Sequence, residues 1–270
     1  MIDMITTEDM MKRTKIIIPA RLQSSRLPNK LLFETGGKSL LQWTYERASQ
    51  LELPVMVLTS EYEVFKHCYD KGMECISRPS EAMNGTQRIA EFTGSRHYDE
   101  CLDMQWVINW QADEPLIDID DVKSMIGMPF GSVRTMVAPI DDNDLLNRDV
   151  AKAVFSRTRS IPTQGYCHWF SRAPMAGAYG HCGIYMYSLH ALQCFHNADY
   201  ENLVYAKAES LEQLVWIEGG LRKIRAVEIK QLPHSINTSS DWITFRIHKE
   251  KDNVQNSIQL DEKETEANTH

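Results

Sequence analysis

The stretch "IIIPARLQSSRLPNK", residues 16–30, joins a strand-like run directly to a cluster of cations. Three β-branched residues closed by Pro19 read as a short buried strand. Arg21, Arg26 and Lys30, with two serines between them, read as a loop that meets an anion. Guanidinium groups offer bidentate contacts to phosphate and the lysine offers a point charge. Taken alone, the loop fits a solvated basic turn as well as it fits a triphosphate cradle. It is not a P-loop, because G-x-x-x-x-G-K-[ST] is missing, and there is no G-x-G-x-x-G.

Outward from this stretch the pattern alternates. "KSLLQWTYERASQL" (38–51) spaces Leu41, Tyr45 and Ala48 along one helix face. "PVMVLTS" reads as a strand, "EYEVFKHCYDKG" as a helix ending at Gly72, and "MECIS" as a further strand. This β-α-β-α-β order implies a parallel sheet covered by helices. "NGTQRIAEFTGSR" then reads as a helix, and "MQWVINW" (104–110) as a buried strand delivering "QADEP" to its carboxyl end, where open α/β sheets bind ligands. From about residue 131 short strand-like pieces follow, read as a β-rich insertion over roughly 131–187 that returns to the main sheet. "AESLEQLVWIEGG" reads as one helix and "RKIRAVEI" as a late strand. One domain over 14–248 is expected, with 249–270 a disordered tail poor in apolar side chains.

Composition narrows the function. With 270 residues and 43% hydrophobic content, the chain can bury a sizeable core. A net charge of −8 and a pI near 5.6 argue against nucleic acid as a partner. Six cysteines without C-x-x-C spacing suit reduced thiols in a cytoplasm. The N-terminal stretch lacks a signal-peptide core and no run approaches a membrane span, so no membrane insertion is expected. In "NWQADEP" the pair Asp113 and Glu114 follows an apolar strand. Asp113 suits magnesium, which carboxylates hold together with substrate phosphates, and it equally suits a turn or a helix cap.

The blocks "IIIPARLQSSRLPNKLL", "NGTQRIAE", "NWQADEP", "FSRAP", "HCGIYMYS" and "LEQL", in this order, resemble the 3-deoxy-manno-octulosonate cytidylyltransferase (CMP-Kdo synthetase) family over about residues 14–246. The first block, of the form R-x-x-S-[ST]-R-[LF]-P-x-K, is the most specific. The resemblance implies an α/β, Rossmann-like nucleotidyltransferase fold with a mainly parallel central sheet flanked by helices. It also implies a homodimer, a magnesium cofactor, and CMP transfer from CTP to 3-deoxy-manno-octulosonate (Kdo) with release of pyrophosphate, a step of lipopolysaccharide biosynthesis. By the same resemblance Arg21, Arg26 and Lys30 bind the triphosphate, Ala20 lies against the nucleotide, and Arg78, Gly85 and Thr86 enclose the cytidine. Gln111, Arg172, His181, Tyr185, Glu212 and Gln213 surround the sugar acid. Asp113 and position 237 hold the metal, and Arg21, Lys30 and Asp113 carry the chemistry.

The chain also departs from that pattern. The family form H-x-S-G-T-[ED]-R stands here as "AMNGTQR", with Ala82, Asn84 and Gln87. G-V-D-T-x-x-D stands as "SINTSSD", so Asn237 replaces an aspartate and brings a dipole where the family brings a charge. "LEQLV" puts Val215 in place of an arginine, and "QADEP" puts Ala112 beside the metal ligand. Two rival readings therefore stand beside the first: a cytidylyltransferase for a different acid, such as an amino-sugar analogue of Kdo or a phosphonate, and a non-catalytic nucleotide-binding protein.

Overall fold

Strand β1 (Thr14–Pro19) buries Ile16 and Ile18 in one hydrophobic cluster and Ile17 in another, each residue fully removed from solvent. Period-2 alternation does this: successive side chains of a strand point to opposite faces, so a continuous apolar run must be covered on both. Full burial of each isoleucine contributes about 1.5–3 kcal/mol. The computed structural model describes residues 7–24, 26–94, 104–129, 131–220 and 223–251.

A short helix, α1 (Thr7–Lys12), precedes β1, and the ribbon β2 (Glu34–Thr35) with β3 (Lys38–Ser39) follows it. Helix α2 (Leu40–Ser49) begins at Ser39, whose hydroxyl accepts from Gln42 N at 3.1 Å while the Gln42 side chain accepts from Ser39 N at 3.0 Å, a reciprocal cap. Then come β4 (Val55–Thr59), α3 (Tyr62–Asp70), β5 (Cys75–Ser77), α4 (Gly85–Gly94), β6 (Trp106–Asn109), α5 (Ile119–Ile126), β7 (Val133–Ala138) and α6 (Asp142–Leu146). The remainder is β8 (Lys152–Arg157), β9 (Gln164–Ser171), β10 (Tyr179–Ser188), α7 (Leu189–His196), α8 (Val204–Glu209), α9 (Leu214–Glu218), β11 (Ile224–Glu228) and a last helix, α10, over 239–251.

Nine strands form one sheet in the order β5-β4-β1-β6-β10-β7-β11-β9-β8, with β8 also pairing to β10. The pairings make seven strands run one way and only β9 and β10 the other, so the sheet is mainly parallel by strand direction although it is mixed by neighbour. The strands from residue 131 onward build the second half of this same sheet. Helices α2, α3 and α5 cover one face with Leu41, Val64 and Val122, joined by Phe245 of α10. Helices α4, α7 and α9 cover the other with Ile89, Leu192 and Trp216.

Two sequence expectations change. The single helix expected over 208–220 is broken: α8 stops at Ser210, held in the left-handed region at φ 52°, and α9 starts only at Leu214. Residues 249–251, expected to belong to a disordered tail, are instead the end of α10, and Lys249 sits 4.7 Å over the Trp43 ring; the rest of the expected tail, 252–270, lies outside the described residues.

Candidate active site

The carboxyl ends of β1 and β6 lie side by side, Ile17 in register with Asn109, and β10 begins at the same edge of the sheet. A cleft of about 1710 Å³ opens there. Three segments meet in it: the loop after β1, the "QADEP" turn after β6, and the 232–241 segment after β11. This is the edge at which open α/β sheets bind their ligands.

The first loop ends at Asn29, whose left-handed backbone (φ 59°) turns the chain into a single 3₁₀ turn, Lys30–Leu32. Lys30 is thereby swung inward and retains 7% of its exposure. Its Nζ donates to Asp113 Oδ2 at 2.7 Å, to the Ile236 carbonyl at 2.7 Å and to Asn237 Oδ1 at 3.1 Å. Three oxygens from two distant segments thus converge on one cation, a hard donor set. Ile236 N donates to Asp113 O at 2.9 Å, which pins the late segment against the QADEP turn. Asp241 in turn accepts from Asn237 N and Thr238 N at 3.0 and 2.8 Å, capping α10 and fixing where Asn237 stands. Among the described residues no cluster of three or more histidine, cysteine or acidic side chains is placed to hold a metal.

Arg21 reaches across to Met83 O at 2.8 Å, and Arg26 pairs with Asp149 at 3.0 Å. Ala20 is buried on the wall, and Gly85 begins α4 hard against β1. A Cβ at Gly85 would stand 2.8 Å from Pro19 Cγ, so only glycine lets this helix start come so close. Asn84, standing where the family pattern has serine, accepts from Gln87 N at 2.8 Å and so performs the capping that serine would. Gln87 closes the other half of that cap, its Oε1 accepting from Met83 N at 3.1 Å.

The cleft is also lined by Gln111, which donates to Gly183 O at 3.3 Å, and by His181, which shares a 3.0 Å hydrogen bond with the Thr135 hydroxyl. Burial, with the Arg172 charge adding to it, pushes the His181 pKa down to about 3, so the ring is neutral at ordinary pH. Arg172 donates from Nε to Glu209 O and from Nη1 to Arg148 O and Asp149 O, at 3.1, 3.1 and 3.3 Å. Tyr185 donates to Gln213 Oε1 at 3.0 Å. Glu212 and Gln213 lie in the turn between α8 and α9, and burial raises the pKa of Glu212. Val215 lines the cleft while keeping only 4% of its exposure.

The fold brings together thirteen of the anticipated residues: Ala20, Arg21, Arg26, Lys30, Gly85, Gln111, Asp113, Arg172, His181, Tyr185, Glu212, Gln213 and Asn237 all line the cleft. Arg78 and Thr86 do not. Arg78 stands exposed after β5, its N–H donating to Thr59 O at 2.8 Å. Thr86 is wholly buried behind the wall, bonded to Tyr187 OH at 2.7 Å and accepting from Asn109 Nδ2 at 3.1 Å. Two charged lining residues, Arg88 and Glu114, were given no site role by the sequence reading. Arg88, one turn into α4, retains 7% exposure and donates to Ser60 Oγ at 2.9 Å. Its one sequence signal is its place at the end of "NGTQR". Glu114 is buried with Oε1 accepting from Ser235 at 2.5 Å and Oε2 unpartnered, and burial beside Asp113 pushes its pKa up to about 8.

Comparison with known proteins shows the family. The family profile described as cytidylyltransferase matches residues 15–232. The 3-deoxy-manno-octulosonate cytidylyltransferase of Psychrobacter cryohalolentis is 32% identical over 252 residues, covering 85% of this chain and 91% of that one. Its namesake in Chlorobium chlorochromatii is 33% identical over 84% of this chain and 92% of its own. A solved structure of CMP:2-keto-3-deoxy-manno-octonic acid synthetase complexed with CTP superposes with a TM-score of 0.74 at 29% identity, covering 89% of this chain and 99% of that one. UDP-glucose pyrophosphorylase, at 11% identity and a TM-score of 0.64, shares the fold alone. With the profile matched over most of its length and relatives 32–33% identical over more than four-fifths of both chains, the chain belongs to the 3-deoxy-manno-octulosonate cytidylyltransferase family and is an enzyme.

Proposed function

We propose that the protein transfers CMP from CTP to 3-deoxy-manno-octulosonate and releases pyrophosphate. The observation that carries this reading is that two sets of cationic and polar groups line one cleft: Arg21, Arg26 and Lys30 from the loop after β1, and Arg172, His181 and Gln111 from the ends of β9, β10 and β6, with Asp113 among them. Both reactants are anions, and a site of this kind works by holding them in line. The anomeric hydroxyl of the acid attacks the α-phosphorus, a new P–O bond forms, and the bond to the bridging oxygen of pyrophosphate breaks. Positioning and fixed charge are the main sources of acceleration for such a transfer.

Arg21 and Lys30 face the charge that accumulates on the departing phosphates. Arg172 offers a planar donor to the acid's carboxylate. Neutral His181 donates or accepts a hydrogen bond at a sugar hydroxyl without adding charge. Magnesium fits the donor set that now surrounds Lys30 Nζ: one carboxylate oxygen from Asp113 and one amide oxygen from Asn237, to be completed by substrate phosphates. When bound, it supplies Lewis-acid stabilisation of phosphate charge. The lysine then serves the phosphates rather than the carboxylate. A homodimer in the cytoplasm completes the reading, supported by the family relationship and by the free state of Cys68, Cys75, Cys167, Cys182 and Cys194. Among the described residues no helix is long and apolar enough to cross a membrane.

A different acceptor acid is favoured by one observation, the buried Val215 on the cleft wall where the family pattern has arginine. Purified protein with CTP, magnesium and a panel of sugar acids, assayed for pyrophosphate, decides between them. Release with Kdo at the highest kcat/KM supports the proposal; release only with another acid replaces the acceptor; binding of CTP with no release from any acid overturns catalysis.

A further inference from the structure

We propose that Lys152 is a positioning residue for the acceptor end of the cleft, its buried ammonium gripping the main chain that aims Arg172. This rests on the reading of Arg172 as the partner of the acceptor's carboxylate.

Lys152 opens β8, retains no exposed surface and does not line the cleft. No carboxylate lies within ion-pair distance of it among the described residues. Its Nζ instead donates to two backbone carbonyls, that of Asn147 and that of Arg172, the latter at 3.3 Å. Burying an ammonium without a counter-ion is costly, and burial together with the Arg172 charge lowers its pKa. A costly group with two well-defined acceptors constrains whatever carries those acceptors.

Both acceptors belong to the support of Arg172. Lys152 is in register with Ser171, so the lysine and the arginine sit next to each other across the β8–β9 pair. Asn147 begins the turn whose next two carbonyls, of Arg148 and Asp149, accept from Arg172 Nη1 at 3.1 and 3.3 Å. The lysine therefore holds the arginine's own carbonyl and, through Asn147, the turn on which its guanidinium rests. Glu209 closes the frame from α8: its carboxylate accepts from Ser171 Oγ at 2.6 Å and Arg172 N at 2.8 Å, and its carbonyl accepts from Arg172 Nε at 3.1 Å. Nη2 is the guanidinium nitrogen that none of these bonds engages. The frame thus spends two nitrogens on orientation and leaves one for a ligand. Of the triphosphate residues, Arg21 and Lys30 hang on other segments, bonded to Met83 and to the Asp113–Asn237 group, while Arg26 meets this turn only through an exposed ion pair with Asp149 at 3.0 Å, a contact of the kind that contributes little.

The test is a double-mutant cycle with Kdo as acceptor, reading KM for Kdo, Kd for CTP and melting temperature. Arg172→Gln is expected to raise KM for Kdo by a hundredfold or so, as loss of a charged contact does. Lys152→Met is expected to raise it about tenfold or more with the Kd for CTP within twofold, and the double variant to be no worse than Arg172→Gln alone. Lys152→Gln, which keeps one donor group, is expected to fall between Lys152→Met and the natural chain. If Lys152→Met lowers only the melting temperature, or multiplies its full factor onto Arg172→Gln, the lysine is structural and the proposal is overturned. It is overturned equally if neither Lys152 variant folds. If Arg172→Gln leaves KM for Kdo unchanged, the assignment of Arg172 itself falls, a result that needs no Lys152 variant to be read.

Discussion

Lys30 Nζ lies 2.7 Å from Asp113 Oδ2, so the cation assigned to phosphate and the carboxylate assigned to metal are each other's partners. The lysine side chain is 9% exposed and the aspartate 25%, which places the pair at the floor of the cleft and shields it from much of the solvent. Any phosphate that recruits Lys30, or any cation that recruits Asp113, must replace this contact. The pair therefore keeps two oxygens, Asp113 Oδ2 and Asn237 Oδ1, drawn to one point.

Asp113→Ala is expected to reduce pyrophosphate release on the order of 10²–10³-fold, the usual cost of deleting an electrostatic group from a transition-state site. The variant strips Lys30 of its carboxylate while leaving two neutral acceptors, the Ile236 carbonyl and Asn237 Oδ1. A stability loss of about 1–3 kcal/mol should accompany the loss of rate. Steady-state assay and urea melts on one preparation check both; near-natural turnover would remove Asp113 from the chemistry.

Asn237→Asp is expected to lower the magnesium concentration for half-maximal rate on the order of tenfold, since hard-cation sites are tuned by how many charged ligands they carry. The new carboxylate also faces Lys30, so the metal-free variant should melt higher than the natural chain. A magnesium titration and a melt in chelator are the measurements. Unchanged half-saturation with a raised melting temperature would mean that position 237 serves the lysine alone.

His181 predicts a pH dependence of stability. Its pKa falls from 6.5 in the unfolded chain to about 3 in the fold, so the unfolded chain takes up a proton below pH 6.5 that the folded chain refuses until about pH 3. The contribution is complete above pH 6.5 and is lost progressively as pH falls, at no more than about 1.4 kcal/mol per pH unit. His181→Gln, which keeps a partner for Thr135, should therefore lose less stability than the natural chain between pH 6.5 and 4. Parallel slopes in urea midpoints across that range would show that the imidazole is protonated in the fold.

Phe245→Ala should destabilise by about 3–5 kcal/mol. Phe245 is 1% exposed and meets the rings of Trp43 and Trp242 at 6.3 and 5.9 Å, so its removal leaves a cavity between α2 and α10. Thermal melts check the size of the loss. A change below 1 kcal/mol would show that α10 contributes little to holding the 235–238 segment in place.

Sequence by itself determined the order of the main strands and helices from β1 to β6, though not α1 or the β2–β3 ribbon, because an apolar run such as Ile16–Ile18 can satisfy its period of two only by burial on both faces. Local patterns also picked out Arg21, Arg26, Lys30 and Asp113, cations after one strand and an acid after another, whereas the remaining anticipated cleft residues were implied only by the family resemblance. Tertiary structure decided what those patterns could not encode. Thr86 reads as a wall residue and lies behind the wall, because the Tyr187 hydroxyl and Asn109 amide meet it there from two other strands. The helix expected across 208–220 breaks at Ser210, because the Glu209 carboxylate is held by Ser171 and Arg172 more than thirty residues earlier, a long-range bond that no helical periodicity registers. Lys30 and Asn237 are 207 positions apart, and their contact exists only because the sheet returns the chain to the carboxyl end of β1. Local propensity fixes what each segment can be; which polar groups become partners is settled by packing, since a buried donor must find its acceptor wherever the fold has brought one.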